Sequence, residues 1–286
     1  MRPIYAFMAL LLLILTLSLH GQGELSTLKG HYLGQKPPGS IPEPFAPGII
    51  TTERWEYGGV FTPDLNEFYL LMDDANEKTS FVVFQYRHKQ WSKSVISRRV
   101  GQPFIAPNGL TMHLGRRYKE RSKYGWSEIR SLGPSFEAIK IMRLTASSKG
   151  TYVFDEIGSD AGDGVIRYSR LINGQREAPR PFGKAINTGK FNAHPFIAED
   201  ESYLIWDGRR DSGYGNSDLY ISFRRQDGSW GKAINLGDKI NTDAWEASAT
   251  VTPDGKYLFF HRTTSPGNVD IFWVDANVIE TLRPKR

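Results

Sequence analysis

A short unit recurs along this chain, and that recurrence constrains the fold more than any other feature. The clearest copy is "TVTPDGKYLFFHR" (250–262), a Pro-Asp-Gly turn running into the apolar segment Tyr257–Phe260 and stopping on His261 and Arg262. Four further segments follow the same plan: "VFTPDLNEFYLLMD" (60–73), "FIAPNGLTMHLGR" (104–116), "TASSKGTYVFDE" (145–156) and "FIAEDESYLIWDG" (196–208). The first of these reads with one extra residue in its turn and the third with one residue missing. The turns fall at Pro63, Pro107, Ser148, Glu199 and Pro253, in steps of 44, 41, 51 and 54 residues. Repeats of this length are the signature of stacked supersecondary units.

A second frame travels with the first. After the fourth copy, "NSDLYISFRRQDGSWGKAINLG" (216–237) alternates apolar and polar residues, turns tightly at Asp227-Gly228 and resumes at Trp230; this reads as a hairpin of two strands. "GNVDIFWVD" (267–275) alternates likewise, and "DGVIRYSRLINGQREAPRPFG" (163–183) carries an Asn173-Gly174 turn. "TSFVVFQYRHKQWSKSVIS" (79–97) follows the first copy. The second copy is irregular and leaves little room for a full third strand before Trp126.

One unit is therefore a strand, a turn, an apolar strand, a loop, a third strand and an outer strand. Four antiparallel strands per repeat make the blade of a β-propeller. A lone four-stranded sheet leaves both faces wet, whereas a blade stacked between neighbours buries both. That accounts for near-continuous apolar runs such as Tyr203-Leu204-Ile205-Trp206, which a one-sided sheet does not need. The expected fold is all-β, a propeller of five four-stranded antiparallel blades, with six as the alternative count. The fifth copy lacks an outer strand, and the Pro-interrupted segment "PEPFAPGIITTERWE" (42–56) is expected to supply it and close the ring. The 7 Trp, 13 Tyr and 16 Phe suit pleated, half-buried surfaces. Trp91, Trp126 and Trp230, each opening an outer strand, read as packing between blades.

Before the repeats, Arg2 and the apolar run Ile4–Leu19 read as a secretory signal. The run is shorter than the roughly 20 residues that span a bilayer. The expected organisation is a signal peptide over 1–23, an N-terminal arm over 24–41 and one propeller domain over 42–286. No later run is long enough to span a membrane, and the mature chain is expected to be a monomer in the periplasm or secreted. The 286 residues include no cysteine, which excludes disulfides, thiolate metal sites and a cysteine nucleophile. The net charge of +5 is scattered, without the stripe that a nucleic-acid binder needs.

The segments "VTPDGKYLFFHR", "FTPDLNEFYLLMD" and "GNSDLYISFRRQDGSWGKAINLG" resemble the WD40-like Pro-Asp repeat of TolB-like exported bacterial proteins. The resemblance covers about residues 42–280. It implies a propeller, export and a binding role in the cell envelope, and it carries no shared catalytic set. The chain departs from the pattern: only Pro63 and Pro253 keep the Pro-Asp pair, and nothing corresponds to the separate N-terminal domain of TolB itself.

The copies stop agreeing where the apolar strand ends: Met72-Asp73, Gly115-Arg116, Asp155-Glu156, Asp207-Gly208 and His261-Arg262. Equivalent loops of a propeller share one face, so Arg116, Arg117, Glu156, Asp207, Arg209, Arg210, His261 and Arg262 are expected around one mouth. Such a rim suits an anionic or glycan ligand, or an envelope protein. The bland alternative is a set of solvated loop charges paired with one another. A glycan-active hydrolase would need two axial carboxylates, and Asp73, Asp155, Glu156, Asp207 and Glu246 are the candidates. No histidine spacing marks a metal site. "SDAGDG" (159–164) resembles a calcium loop in composition but lacks the closing Glu. No cofactor fingerprint is present.

Overall fold

The computed structural model describes residue 25 and residues 27–285, and the expected signal peptide lies outside the described residues. The chain folds as a five-bladed β-propeller. A short N-terminal strand, β1 (Glu43–Pro44), precedes the first blade of β2 (Glu56–Phe61), β3 (Glu67–Asp73), β4 (Thr79–Arg87) and β5 (Gln90–Arg98). The second blade holds β6 (Pro103–Ile105), β7 (Thr111–Leu114) and β8 (Arg117–Ser122), with β9 (Gly125–Trp126) and β10 (Arg130–Ser131) pairing along β8. The third holds β11 (Leu144–Ala146), β12 (Tyr152–Glu156), β13 (Val165–Ser169) and, after a side hairpin β14–β15 (Leu171–Ile172 and Gln175–Arg176), β16 (Arg180–Pro181). The fourth is β17 (Lys190–Ile197), β18 (Tyr203–Arg209), β19 (Asp218–Phe223) and β20 (Ile234–Asn235). The fifth is β21 (Glu246–Val251), β22 (Tyr257–Ser265) and β23 (Asn268–Asp275).

The ring closes as the sequence leads one to expect. β1 adds to the fifth blade as its outer strand, with Glu43 opposite Trp273 and Pro44 opposite Phe272. The short β1 covers part of the β23 edge, so the fifth blade also has four strands. Phe45, Phe61, Phe68, Phe259 and Trp273 pack edge to face or tilted behind it, with centroids 4.5–6.2 Å apart. The arm ahead of β1 straps the same seam. Tyr32 is buried against Phe61, Tyr257 and Trp273 and donates to the Asp254 carboxylate at 2.7 Å. Trp91 donates to the Gly30 carbonyl at 2.9 Å. The other two recurrent tryptophans join neighbouring blades. Trp126 donates to the Tyr69 hydroxyl at 2.8 Å, and Trp230 packs on Phe182 at 5.9 Å.

All five turns share one geometry. In each, a backbone N–H reaches back three residues: Leu65 to Thr62, Gly109 to Ala106, Gly150 to Ser147, Glu201 to Ala198 and Gly255 to Thr252, at 2.8–3.0 Å. The donor residue is left-handed every time, with φ between 58° and 78°. Glycine takes that conformation without cost, and Leu65 and Glu201 take it because the blade imposes it. Asp64, Asn108, Asp200 and Asp254 each accept the N–H two residues on, at 2.8–3.3 Å, which is the local staple of an Asx turn.

This geometry corrects the expected extra residue in the first copy. Thr62 N–H bonds to Glu67 O as Thr252 N–H bonds to Tyr257 O, both 2.9 Å, so Leu65 stands where Gly255 stands and nothing is inserted. Leu71, not Met72, is therefore the counterpart of His261. The third strand missing from the second copy also exists. Gly115-Arg116 forms a two-residue link, so β8 begins three residues after Leu114 and ends before Trp126.

Candidate axial site at the loop-face mouth

The innermost strands of three blades carry the same irregularity near their entry. Register shifts fall between Tyr57 and Val60 in β2, Ala193 and Phe196 in β17, and Ala247 and Thr250 in β21. The bulged residues Gly58, His194 and Ser248 have φ of 68°, 45° and 55°. A bulge turns backbone groups away from the ladder, and here it turns N–H groups toward the preceding blade. His194 N–H donates to Asp155 Oδ2 at 2.9 Å, and Ser248 N–H donates to Asp207 Oδ1 at 3.0 Å. Asp155 and Asp207 end the second strands of the third and fourth blades, so each carboxylate clamps the next blade to its own. Asp155 also accepts N–H groups of Met142 and Arg143 at 2.8 and 3.1 Å.

The same bulges share a run of residues ahead of them that links loop to strand. Thr52, Trp55 and Glu56 precede Gly58. Thr188, Phe191 and Asn192 precede His194, and Thr242, Trp245 and Glu246 precede Ser248. Thr242 N–H and hydroxyl donate to the Glu246 carboxylate at 3.1 and 2.6 Å, and Thr52 engages Glu56 the same way. Asn187 and Asn241, one residue earlier, each bond both backbone groups of a third-strand residue, Ile166 and Leu219, at 2.7–3.0 Å. This delivers one aromatic side chain per copy to the mouth.

The mouth opens into a cleft of about 500 Å³ lined by Met142, the 157–164 loop, Phe191, His194, Asp207, Arg209, Ser217 and Trp245. His194 Nδ1 donates to Asp207 at 3.0 Å, which leaves Nε2 as the ring atom for a ligand. Burial opposes charge on this imidazole, yet Asp207, with Asp155 behind it, outweighs burial and holds its pKa above the ordinary histidine value. Burial pushes the Asp155 carboxyl up, against the pull of His194 and the three N–H donors. Arg143 is 1 % exposed, and burial lowers its pKa to about 10 although Asp207 and Asp155 pull the other way. His261, also 1 % exposed, lies 4.7 Å from the Trp245 ring and 6.4 Å from His194. Burial, reinforced by the charges on His194 and Arg143, holds it well below the usual histidine range.

The residues expected at the mouth divide. Asp207 and Arg209 line the cleft, and Arg209 and Arg210 line the adjoining hollow of about 1100 Å³. Arg210 stacks on Tyr220 with its guanidinium 3.5 Å from the ring centre. His261 does not line the cleft and is buried against the Trp245 ring. Glu156 pairs with Arg167 at 2.6 Å. Arg262 pairs with Glu246 at 2.8 Å, donates to Ile240 O and covers the Phe272 ring. Arg116 donates to the Glu137 carbonyl at 2.8 Å, and Arg117 is exposed at the start of β8. Asp163 of the acidic loop accepts from the Ser159 N–H and hydroxyl at 2.6 and 3.0 Å. Among the described residues, no group of three or more His, Asp or Glu is placed to hold a metal ion, and no helix is long and apolar enough to cross a membrane.

Sequence reasoning missed Arg143, His194 as part of the cleft, and Trp245. The recurrent Thr-x-x-aromatic run was the available signal for Trp245. Nothing around Arg143 marks it.

No protein-family model matches this chain, and no curated protein sequence matches it. Solved structures do. The catalytic domain of an α-L-arabinofuranosidase from Coprinopsis cinerea matches with a TM-score of 0.50 at 9 % identity, over 84 % of this chain and 95 % of that one. TolB from Acinetobacter baumannii matches with a TM-score of 0.46 at 12 % identity, over 77 % of this chain and 54 % of that one. A putative TolB from Agrobacterium tumefaciens matches at 0.46 and 14 %, over 79 % of each chain. The match thus spans about half the length of the Acinetobacter protein. At such identities the likeness is one of fold alone.

Proposed function

We propose that the protein is a binding module, exported to the cell envelope, that takes its ligand in the cleft at the loop-face mouth. One observation carries this reading. Three of the expected axial carboxylates are occupied: Asp155 and Asp207 by backbone N–H groups and the His194 ring, and Glu246 by Thr242 and Arg262. A hydrolytic pair needs one carboxyl free to pass a proton and another free to face the reacting carbon or a water. Asp155 and Asp207 instead hold blades together. The cleft above them offers what recognition needs, aromatic faces with a few convergent polar groups.

The test is a binding screen of the mature chain against a glycan array and purified envelope proteins. Hits are then repeated with Arg209→Ala and Trp245→Ala. Loss of the hit in both variants supports the reading. A hit untouched by either variant, or turnover of a bound glycan, contradicts it.

A further inference from the structure

Against the cleft, three buried side chains lack the partners that their chemistry requires. Arg143 Nε and Nη1, both ring nitrogens of His261, and the Ser217 hydroxyl have no hydrogen-bond partner among the described residues. All three side chains are more than nine-tenths buried. Buried polar groups are as a rule satisfied in native proteins, and each exception calls for an explanation. These three adjoin the cleft. Met142, next to Arg143, lines it, as do Ser217 itself and Trp245, whose ring lies 4.7 Å from His261.

Charge and hydrogen-bonding capacity together select the occupant. Arg143 lies in the field of two carboxylates, Asp155 and Asp207, so its charge is answered without an anionic ligand, and its unmet N–H groups turn a cation away. An added anion or cation would be a buried charge without a counter-ion. The unmet groups are mixed: the guanidinium only donates, neutral His261 donates at one nitrogen and accepts at the other, and a serine hydroxyl does both. Hydroxyl groups answer all three. Beside these groups, Trp245 lies 6.2 Å from Trp55, and Phe191 is 41 % exposed. Such aromatic faces suit the C–H face of a ring whose rim is polar.

We propose that the cleft binds a neutral carbohydrate, with one sugar ring on Trp245 and its hydroxyls reaching Arg143, His261 and Ser217. This inference rests on the binding-module reading and names its ligand class.

The test is calorimetric titration of the mature protein with neutral oligosaccharides of glucose, galactose, mannose, xylose, arabinose and N-acetylglucosamine, beside a galacturonate oligosaccharide and inorganic phosphate. At least one neutral oligosaccharide is expected to bind. Trp245→Ala and Arg143→Met should each weaken it about tenfold or more, the loss that one aromatic or charged contact carries. Ser217→Ala should weaken it less, and it keeps the test open if Arg143→Met does not fold. The proposal is overturned if only the galacturonate or phosphate binds, if no sugar binds, or if affinity ignores these variants. A protein ligand lost on Arg209→Ala and Trp245→Ala would overturn the carbohydrate and keep the binding module. Cleavage products in the titration would do the reverse.

Discussion

The two ends of the propeller are built by the same five inner and second strands, yet they share almost no chemistry. At one mouth, Pro63, Pro107, Ser148, Glu199 and Pro253 ring a hollow of about 820 Å³ floored by apolar side chains such as Val60, Ile105, Phe196 and Val251. Every turn there has the same hydrogen bond and the same left-handed residue. At the other mouth the corresponding positions are Leu71, Gly115, Asp155, Asp207 and His261, and no two neighbours do the same job except Asp155 and Asp207. The residues that line the cleft come from the third, fourth and fifth blades. Where the repeat serves the fold it stays uniform. Where it opens on the cleft it has diverged, and it has done so on one side of the axis.

The largest way to break this contrast is at the clamps. Asp207→Ala removes the acceptor for both the Ser248 N–H and the His194 ring and leaves a buried cation behind. A loss of about 3–5 kcal/mol is expected, as for other broken buried pairs, read from denaturant unfolding. A loss below 1 kcal/mol would mean that the carboxylate does not hold the blades together.

Acid provides the next test. Burial, with Arg176 adding to it, pushes the fully buried His113 down to about 3. Between its ordinary value and that one, the unfolded chain takes up a proton that the folded chain refuses. Stability therefore falls as pH drops below about 6.5, by about 1.4 kcal/mol per pH unit, and levels off once the folded pKa is passed. His261 acts in the same direction. Glu56 acts oppositely: burial raises its pKa to about 6, so its contribution is present below its unfolded value and is lost as pH rises through about 6. Melting temperatures of His113→Phe should decline less steeply with acid than those of the native chain, and parallel curves would remove His113 from the account.

The smallest expected effect lies at the uniform mouth. Gly255→Ala puts a side chain on a residue with φ of 74° and open space around its Cβ. The cost is then purely that of the left-handed backbone, about 1 kcal/mol. Binding at the far mouth should be unchanged, and a variant that weakened it would show that the two mouths are coupled.

How far the sequence reveals these regions differs in the same way. The blade plan, the ring closure by residues 42–56 and the inter-blade packing of Trp126 and Trp230 are legible because each depends on a local pattern that recurs; Trp91, expected between blades as well, bonds the arm at Gly30 instead. The turn at Leu65 misleads because propensity asks for glycine there and the blade overrides it. Thr52…Trp55-Glu56 and Thr242…Trp245-Glu246 are visible in the sequence but stand outside the Pro-Asp frame that orders the repeats. Arg143 is out of reach: its neighbours His194, Asp207 and His261 lie one or two repeats away, and nothing local foretells the bulge in β17 that turns His194 toward Asp155. Arg262 illustrates the converse, since its alignment with the rim says nothing of Glu246, which holds it.

Hydrogen exchange of the mature protein, with and without the tightest neutral oligosaccharide from the titrations, tests the central claim most directly. Protection is predicted in the 157–164 loop, in 190–194 and in 209–217, with the turns at Pro63, Pro107, Ser148, Glu199 and Pro253 unchanged. Protection confined to those turns would place the ligand at the apolar mouth and contradict the account.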